Sequence, residues 1–393
     1  MKITKRYRLF KNYFATGGFI LFVHAGYPFL IRYGINHVPD SVAFYTLYLQ
    51  RDLLNMSQKP ATIKEIARKL KVSISTVSRA LHDHPSIGLR TKMQVQQLAK
   101  EMNYEPNLAA VSFKQGKTMT LGAILPNLGE EFFSIAINGI EDVATKNKYT
   151  VLIGQSHDDV EREKQIVDTM RRHRVDGIIV SLAKTTREYD HFQQLKNYNI
   201  PVVFFDRIPD LPDAYTVMCN LENSSVELVD WLVAEGHRHI GFIKGPDTII
   251  QSTHRMQGYQ QALKKHKIKP ENSYIVTTDL TRKKTQDAMH KLLALKVRPT
   301  AVIAFNDYVA LDAMQYARSL GIHINKDISF VSYANLPLTN YLDEPPVASV
   351  EQFPYQQAEQ ATSVLLQLIN TRNADEDIPL KTVLESKMVL NKK

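Results

Sequence analysis

Apolar residues recur at helical spacing between residues 62 and 103. The first stripe occupies positions i, i+3, i+4 and i+7, namely Ile63, Ile66, Ala67 and Leu70. Thr62 stands at the N-cap position and Glu65 follows three residues later, which is the pattern of a capping box. A second stripe falls within residues 74–81 and a third within residues 90–103. The pattern predicts three short helices separated by tight turns.

The second predicted helix has two different faces. Its apolar face is formed by Val77, Ala80 and Leu81. The opposite face carries small hydroxyls and one arginine: Ser75, Thr76, Ser78 and Arg79. Small side chains let a helix enter the major groove of DNA, and an arginine reaches a guanine edge there. The stretch therefore predicts a helix-turn-helix, whereas an ordinary helical hairpin would explain the periodicity alone.

From Thr120 onward, short apolar runs alternate with amphipathic segments of about a dozen residues. The runs cover residues 121–126, 149–156, 176–182, 201–206, 240–245, 274–279, 300–307 and 328–334. Continuous apolar strands alternating with helices indicate an α/β fold with parallel sheets covered on both faces. Because a single sheet of that many strands would be unusual, we expect two lobes.

Residues 1–55 differ from the rest of the chain. They contain a basic run followed by an apolar run from Gly18 to Ile31, as in a signal peptide. His24 and Pro28 interrupt that run, which is also too short for a clean membrane span. Met56 opens the stretch MSQKPATIKEIA. We expect the natural protein to begin at Met56, with a membrane-associating tail as the alternative.

Charge is unevenly distributed along the chain. Residues 56–117 carry 11 basic and 4 acidic side chains, whereas residues 118–393 carry 31 and 34. A basic module on a nearly neutral body predicts that the module meets phosphate. The single cysteine, Cys219, excludes an internal disulfide and fits a reducing cytoplasm. The sequence shows no zinc spacing, phosphate loop or catalytic triad, so we expect neither a metal, nor a cofactor, nor an enzyme.

The stretch ATIKEIARKLKVSISTVSRAL resembles the DNA-binding headpiece of the LacI/GalR family of bacterial transcriptional regulators. The resemblance lies in T-I-x-x-I-A and V-S-x-x-T-V-S-R-x-L and extends from about Ala61 to the C-terminus. It implies a helix-turn-helix domain with a hinge helix at 56–117 and a two-lobed, periplasmic-binding-protein-like body at 118–393. It also implies a cytoplasmic homodimeric repressor that binds palindromic double-stranded operator DNA under the control of a sugar or sugar derivative.

The resemblance assigns DNA contacts to two segments. In the headpiece they fall on Thr62, Ser73, Ile74, Ser75, Thr76, Ser78 and Arg79. Lys59, Lys64 and Lys92 are candidates for phosphate contacts, with a solvated surface role as the alternative. The family's hinge helix corresponds to residues 108–114, with contacts at Asn107, Ala110 and Phe113. Phe113 stands where the family inserts a leucine wedge into the minor groove.

Effector-binding candidates lie near predicted strand ends, where ligands of such folds bind. Most come from the strand ends and the first helix: Phe132, Phe133, Asp206, Arg207, Asn306 and Asp307. Arg255 matches the family's R-x-x-G-[FYW], in which the arginine grips the effector. The family's G-[FY]-D-[ND] reads Ser332-Tyr333-Ala334-Asn335 here, so either Asn335 substitutes for the missing acid or the effector is not a simple hexose. Asp206 and Asp307 also suit helix capping.

Two other functions would each suit part of the chain. Residues 118–393 alone would suit a secreted solute-binding protein, and residues 18–31 would suit a membrane-tethered regulator. The helix-turn-helix between these segments favours the cytoplasmic regulator.

Overall fold

The computed structural model describes residues 61–105, 116–371 and 378–391, and the backbone of residues 19–24 and 27–32. These residues belong to two units, 1–107 and 108–393. In the first unit, β1 (Phe19–His24) pairs with β2 (Tyr27–Arg32) in antiparallel register. The apolar run of residues 18–31 is therefore largely extended rather than helical. No helix among the described residues has the length and apolar character to cross a membrane.

The helix-turn-helix region consists of three helices, as the periodicity predicts. They are α1 (Ile63–Leu70), α2 (Ile74–Leu81) and α3 (Leu89–Glu101). The capping box is present: Glu65 N donates to Thr62 Oγ1 at 3.3 Å, and Thr62 N donates to Glu65 Oε2 at 2.8 Å. At its other end α1 stops at Lys71, whose left-handed backbone (φ 53°) turns the chain toward α2.

A small core holds the three helices together. Its buried side chains are Ile66, Ala67, Val77, Ala80, Val95 and Ala99. These positions come from the apolar stripes of all three helices, so the sequence pattern predicts the core correctly. Leu81, Leu98 and Met102 are partly buried at its edge.

We expect Thr62→Ala to weaken α1 without altering its core contacts, since it removes only the side-chain half of the capping box. Loss of an N-cap costs about 0.5–2 kcal/mol. Amide hydrogen exchange of residues 63–70, followed by mass spectrometry, should accelerate accordingly. Thr62→Ser retains the hydroxyl and serves as the control. Equal exchange in Thr62→Ala and wild type would contradict the prediction.

Lobe 1 of the second unit contains a six-stranded parallel sheet in the order β13-β7-β6-β5-β3-β4. Its strands are β3 (Thr120–Leu125), β4 (Thr150–Gln155), β5 (Gly177–Val180), β6 (Val202–Phe205), β7 (Tyr215–Asn220) and β13 (Lys381–Glu385). Its helices are α4 (Glu131–Lys146), α5 (Val160–Arg172), α6 (Asp190–Gln193), a 3₁₀ helix (Gln194–Tyr198) and α11 (Pro354–Asn370). Apolar clusters cover both faces of the sheet, as expected for parallel strands.

Lobe 2 repeats this architecture with the order β14-β12-β11-β10-β8-β9, in which only β14 runs antiparallel to its neighbour. Its strands are β8 (Ile240–Lys244), β9 (Ile275–Thr277), β10 (Ala301–Ala304), β11 (Ser329–Ala334), β12 (Ala348–Glu351) and β14 (Lys387–Leu390). Its helices are α7 (Leu221–Ala234), α8 (Ile250–Lys265), α9 (Arg282–Leu293) and α10 (Asp307–Ser319), with 3₁₀ helices at Asn272–Tyr274 and Pro337–Tyr341. The two-lobed α/β fold is confirmed.

Candidate DNA-recognition surface and effector cavity

The candidate recognition surface is the outer face of α2. Ser73 caps this helix by accepting a hydrogen bond from Thr76 N at 3.0 Å. The Ser73 Oγ also lies 2.7 Å from Ser75 Oγ, so these hydroxyls are preorganised at the helix start. Ile74 is 46% exposed, and the side chain of Arg79 is exposed one turn further along. An apolar, a hydroxyl and a cationic side chain thus share one accessible face.

The other predicted DNA contacts differ in how accessible they are. Thr76 and Ser78 are partly exposed beside that face. Thr62 is exposed, although its hydroxyl already serves the capping box. Lys64 is exposed, whereas Lys92 forms a 2.7 Å ion pair with Asp83, which competes with the expected phosphate contact.

The predicted contacts of the linker lie outside the described residues. They are Asn107, Ala110 and Phe113, together with Lys59 before the headpiece.

A cavity of about 40 Å³ lies at the carboxyl ends of strands from both lobes. Six of the eight predicted effector residues line it: Phe132, Phe133, Asp206, Arg207, Arg255 and Asn306. Asp206 follows β6 of lobe 1 and Asn306 follows β10 of lobe 2, which is why the two lobes contribute to one wall. The cavity thus lies where ligands of open α/β sheets bind.

The other two predicted effector residues, Asp307 and Asn335, are not among the cavity's lining residues, and their side chains bond to neighbouring protein groups. Asp307 is fully buried and accepts hydrogen bonds from Leu336 N at 2.7 Å and Ser349 Oγ at 2.9 Å. Asn335 Nδ2 donates to Glu351 Oε2 at 2.9 Å. Both side chains are used to tie β11, β12 and the start of α10 together. The Asn335 amide is therefore engaged by Glu351.

Four polar residues that sequence reasoning missed also line the cavity: Glu130, Gln251, Tyr308 and Gln352. Gln251 precedes Arg255 by four residues on α8, a spacing that places both on one helix face. This four-residue spacing from Arg255 could have identified Gln251 as a cavity residue from the sequence. Glu130 and Gln352 belong to no recognisable motif.

Two arginines dominate the positive charge of the cavity. Arg207 pairs with Asp158 at 2.5 Å and is buried. Arg255 is 3% exposed and donates to Phe305 O at 2.7 Å, with its guanidinium 4.2 Å from the Phe305 ring centroid and 4.4 Å from that of Tyr333. Burial lowers the pKa of Arg255 to about 10, so it remains charged at neutral pH. The charge of Arg207 is thus balanced by Asp158. The charge of Arg255 is stabilised by a backbone carbonyl and two aromatic rings.

The cavity wall contains polar atoms without protein partners. Gln251 is 2% exposed, and neither its Oε1 nor its Nε2 is hydrogen-bonded. The Nε of Arg255 is also unpartnered. Leaving buried donors and acceptors unpaired costs free energy, so a ligand that supplies both functions would be stabilised here. Adjacent hydroxyl groups have this property because each one donates and accepts.

Two carboxyl groups in the cavity wall are perturbed by burial. Burial raises the pKa of Asp206 to about 6, against the opposing charges of Arg207 and Arg255. Burial likewise raises the pKa of Glu130, although Arg207 opposes that shift. Asp206 also adopts a left-handed backbone (φ 55°). Strain and desolvation of this kind are typical of functional sites.

We expect Asp206→Asn to stabilise the body at pH 7. A carboxyl with a raised pKa binds its proton more tightly when folded, so its ionisation lowers the free energy of unfolding as the pH rises from about 4 to 6. The neutral amide avoids that loss, a gain of roughly 1–3 kcal/mol. Melting temperatures of variant and wild type should separate at pH 7 and converge below about pH 4. A pH-independent difference would contradict this assignment.

The structure defines a class of protein: a helix-turn-helix unit in the same chain as a two-lobed, ligand-binding α/β body. Comparison with known families gives the same result. Residues 62–107 match the bacterial regulatory proteins of the lacI family, and residues 118–387 match the periplasmic binding proteins and sugar binding domain of the LacI family. The chain belongs to the LacI family and is a DNA-binding transcription regulator. The match over residues 62–107 also disfavours the solute-binding alternative.

Individual relatives agree with this assignment. Catabolite control protein A of Priestia megaterium is 30% identical over 318 residues, which is 81% of this chain and 95% of that protein. The HTH-type transcriptional repressor CytR of Escherichia coli K12 is 32% identical over 306 residues, 78% and 89% of the two chains. Among solved structures, the Lac repressor dimer bound to operator and the anti-inducer ONPF has a TM-score of 0.72 and 23% identity, covering 84% of this chain and 98% of that one.

Proposed function

We propose that the chain is a cytoplasmic homodimeric repressor that binds a palindromic operator and responds to a sugar or sugar derivative bound in the cavity. It acts by binding rather than by catalysis. The observation that carries this proposal is the unpartnered, buried set of donors and acceptors on Gln251 and Arg255, in a chain that also displays the α2 face. The proposed division is headpiece and hinge at 56–117, and effector-binding and dimerisation at 118–393.

On the DNA, α2 enters the major groove. Arg79 reads a guanine edge and Ile74 contacts a thymine methyl group. The remaining headpiece contacts are Thr62, Ser73, Ser75, Thr76 and Ser78, which fix the register on phosphates and base edges. In the hinge, Asn107, Ala110 and Phe113 contact the minor groove, with Phe113 as the wedge.

The dimer is supported by β4, one of the two edge strands of lobe 1. Leu152 and Ile153 on this strand are 37% and 36% exposed. Adjacent apolar side chains on an open sheet edge favour association with another protein surface. A second copy related by a two-fold axis would cover them, and two related recognition helices require an operator with palindromic half-sites.

In the cavity, the effector engages Gln251, Arg255 and Asp206, and Phe132 and Phe133 supply the aromatic surface. Relatives of known structure support this ligand class, since one is described as a CelR–cellobiose complex and another as complexed with D-xylulofuranose. Because both lobes contribute to the cavity wall, occupancy changes the angle between the lobes. That change alters the affinity for the operator.

Selection of bound duplexes from a random DNA pool tests this proposal. The full chain and a chain beginning at Met56 are used in parallel, with and without a mixture of sugars. We expect enrichment of a palindrome with a fixed centre, and a change in its affinity when sugars are added. Failure to enrich any sequence under all four conditions would overturn the proposal.

A further inference from the structure

The chain passes between the two lobes at three places in the described part of the body. It leaves lobe 1 at Asn220–Leu221, between β7 and α7. It returns at Gln352–Phe353, between β12 and α11, and crosses again at Ser386, between β13 and β14. Any change of lobe angle must bend the backbone at these three crossovers.

The three crossovers are joined by hydrogen bonds. Ser386 Oγ donates to Asn220 O at 2.8 Å, which links the third crossover to the first. Cys219 Sγ donates to Gln352 O at 2.8 Å, which links the first to the second. Gln357 Nε2, from α11 in lobe 1, donates to the same carbonyl at 2.7 Å. The Gln352 carbonyl therefore holds two lobe 1 side chains at the centre of the three crossovers, which together form the hinge between the lobes.

The side chain of Gln352 extends in the other direction, into the wall of the cavity. Its Oε1 accepts a hydrogen bond from a terminal guanidinium nitrogen of Arg255 at 3.2 Å. Both residues are almost fully buried, at 2% and 3% exposure, so water does not substitute for this contact. Gln352 thus touches the cavity through its side chain and the hinge through its carbonyl.

The residue after Gln352 carries backbone strain. Phe353 has φ 53° and ψ 57°, a left-handed conformation that costs a residue with a side chain free energy. A hydrogen bond from Phe353 N to Glu351 Oε1 at 2.7 Å helps to hold it there. Strain that persists only while neighbouring contacts hold it is a feature of elements with two alternative conformations.

We propose that Gln352 is a positioning residue that couples occupancy of the cavity to the lobe hinge. A ligand that draws on the N–H groups of Arg255 shifts its guanidinium, and the Gln352 amide follows that movement. The Gln352 carbonyl must then re-form its bonds to Cys219 and Gln357. This inference rests on the proposed effector response, but the contact between Arg255 and the hinge is testable without any ligand.

Cys219 provides the probe, because it is the only cysteine in the chain. It is buried, and burial raises the pKa of its thiol to about 12, so alkylation by iodoacetamide reports opening of the crossover. We expect Gln352→Met and Arg255→Lys each to accelerate labelling by about tenfold. In the double variant the two effects should not multiply, because both changes break the same connection.

Gln357→Met is the matched control. It removes an equally buried glutamine amide that bonds the same carbonyl but does not contact Arg255. The effect of Arg255→Lys should therefore be retained in full in the Gln357→Met background. Multiplicative effects of Arg255→Lys and Gln352→Met, or no effect of Arg255→Lys on labelling, would overturn the proposal.

A conservative variant of Gln352 keeps the test decisive even if Arg255→Lys does not fold. Gln352→Glu keeps an acceptor for Arg255, so its labelling rate should stay near that of wild type while Gln352→Met is accelerated. Equal acceleration in both would overturn the proposal without any Arg255 variant.

A second readout uses operator DNA with D-ribose, D-xylulose and cellobiose as probes. At sugar concentrations that saturate each protein, Gln352→Met should lose the change in operator affinity that wild type and Gln357→Met show. A full response in Gln352→Met would overturn the coupling role. If no probe alters wild-type affinity, the proposed effector class fails instead, and the labelling experiment still decides the role of Gln352.

Discussion

Replacing Ile66 by alanine is expected to abolish operator binding while the two-lobed body stays folded. Ile66 is fully buried, and its partners in the helix-turn-helix core are mostly alanine and valine. An Ile→Ala change in a core costs about 2–5 kcal/mol, through lost burial and the cavity left behind. A three-helix segment of this size has only a few kcal/mol of stability to lose. Fluorescence anisotropy with labelled operator measures the loss.

The control for Ile66→Ala is Ile303→Ala, at a fully buried position of β10 in lobe 2. That change removes the same atoms from a much larger core, so the body should melt earlier while operator affinity is retained below its melting temperature. Calorimetry distinguishes the two outcomes. Operator affinity of Ile66→Ala within about threefold of wild type would show that the small core is not limiting.

The helix-turn-helix was the most predictable part of the fold, because its local and tertiary signals coincide. The capping box of Thr62 and Glu65 marks the start of α1. The apolar stripe of the same helix places Ile66 in the core. Local sequence alone thus specifies the start and the buried face of α1.

In the body, predictability depended on burial. The runs that became β3, β5 and β6 are buried almost throughout and read as continuous apolar stretches. The strands β13 and β14 were not predicted, because each contains a charged residue and has no buried position that a continuous apolar run would mark. The strands β7 and β12 contain polar residues within or beside their apolar positions, so no continuous apolar run distinguished them from loops.

The residues of the candidate site were also predictable only where local sequence was sufficient. Asp206, Arg207 and Arg255 were predictable from strand ends and a motif, and they line the cavity. Asp307 also follows a strand, but its carboxylate accepts hydrogen bonds from Ser349 and Leu336. These two residues are distant from Asp307 in the sequence. Partners of that kind are set by the assembled sheet. No local pattern reveals them.

Arg79→Ala should reduce specific operator affinity by about 1–3 kcal/mol, roughly 5- to 150-fold, while weak binding to random DNA changes little. The guanidinium lies on the exposed face of α2, and among the described residues nothing accepts a hydrogen bond from it. It is therefore available for two parallel bonds to a guanine, which alanine cannot replace.

The matched control is Arg68→Ala, which removes an exposed arginine from the last turn of α1 rather than from the recognition helix. If Arg68 contacts a phosphate, its removal should weaken binding to operator and random DNA alike and lower the salt dependence of binding. Binding of each variant to operator and random duplexes across a salt series separates the two roles. If Arg79→Ala loses affinity equally for both duplexes, Arg79 touches only phosphate, and sequence reading must reside in Ile74 and Thr76.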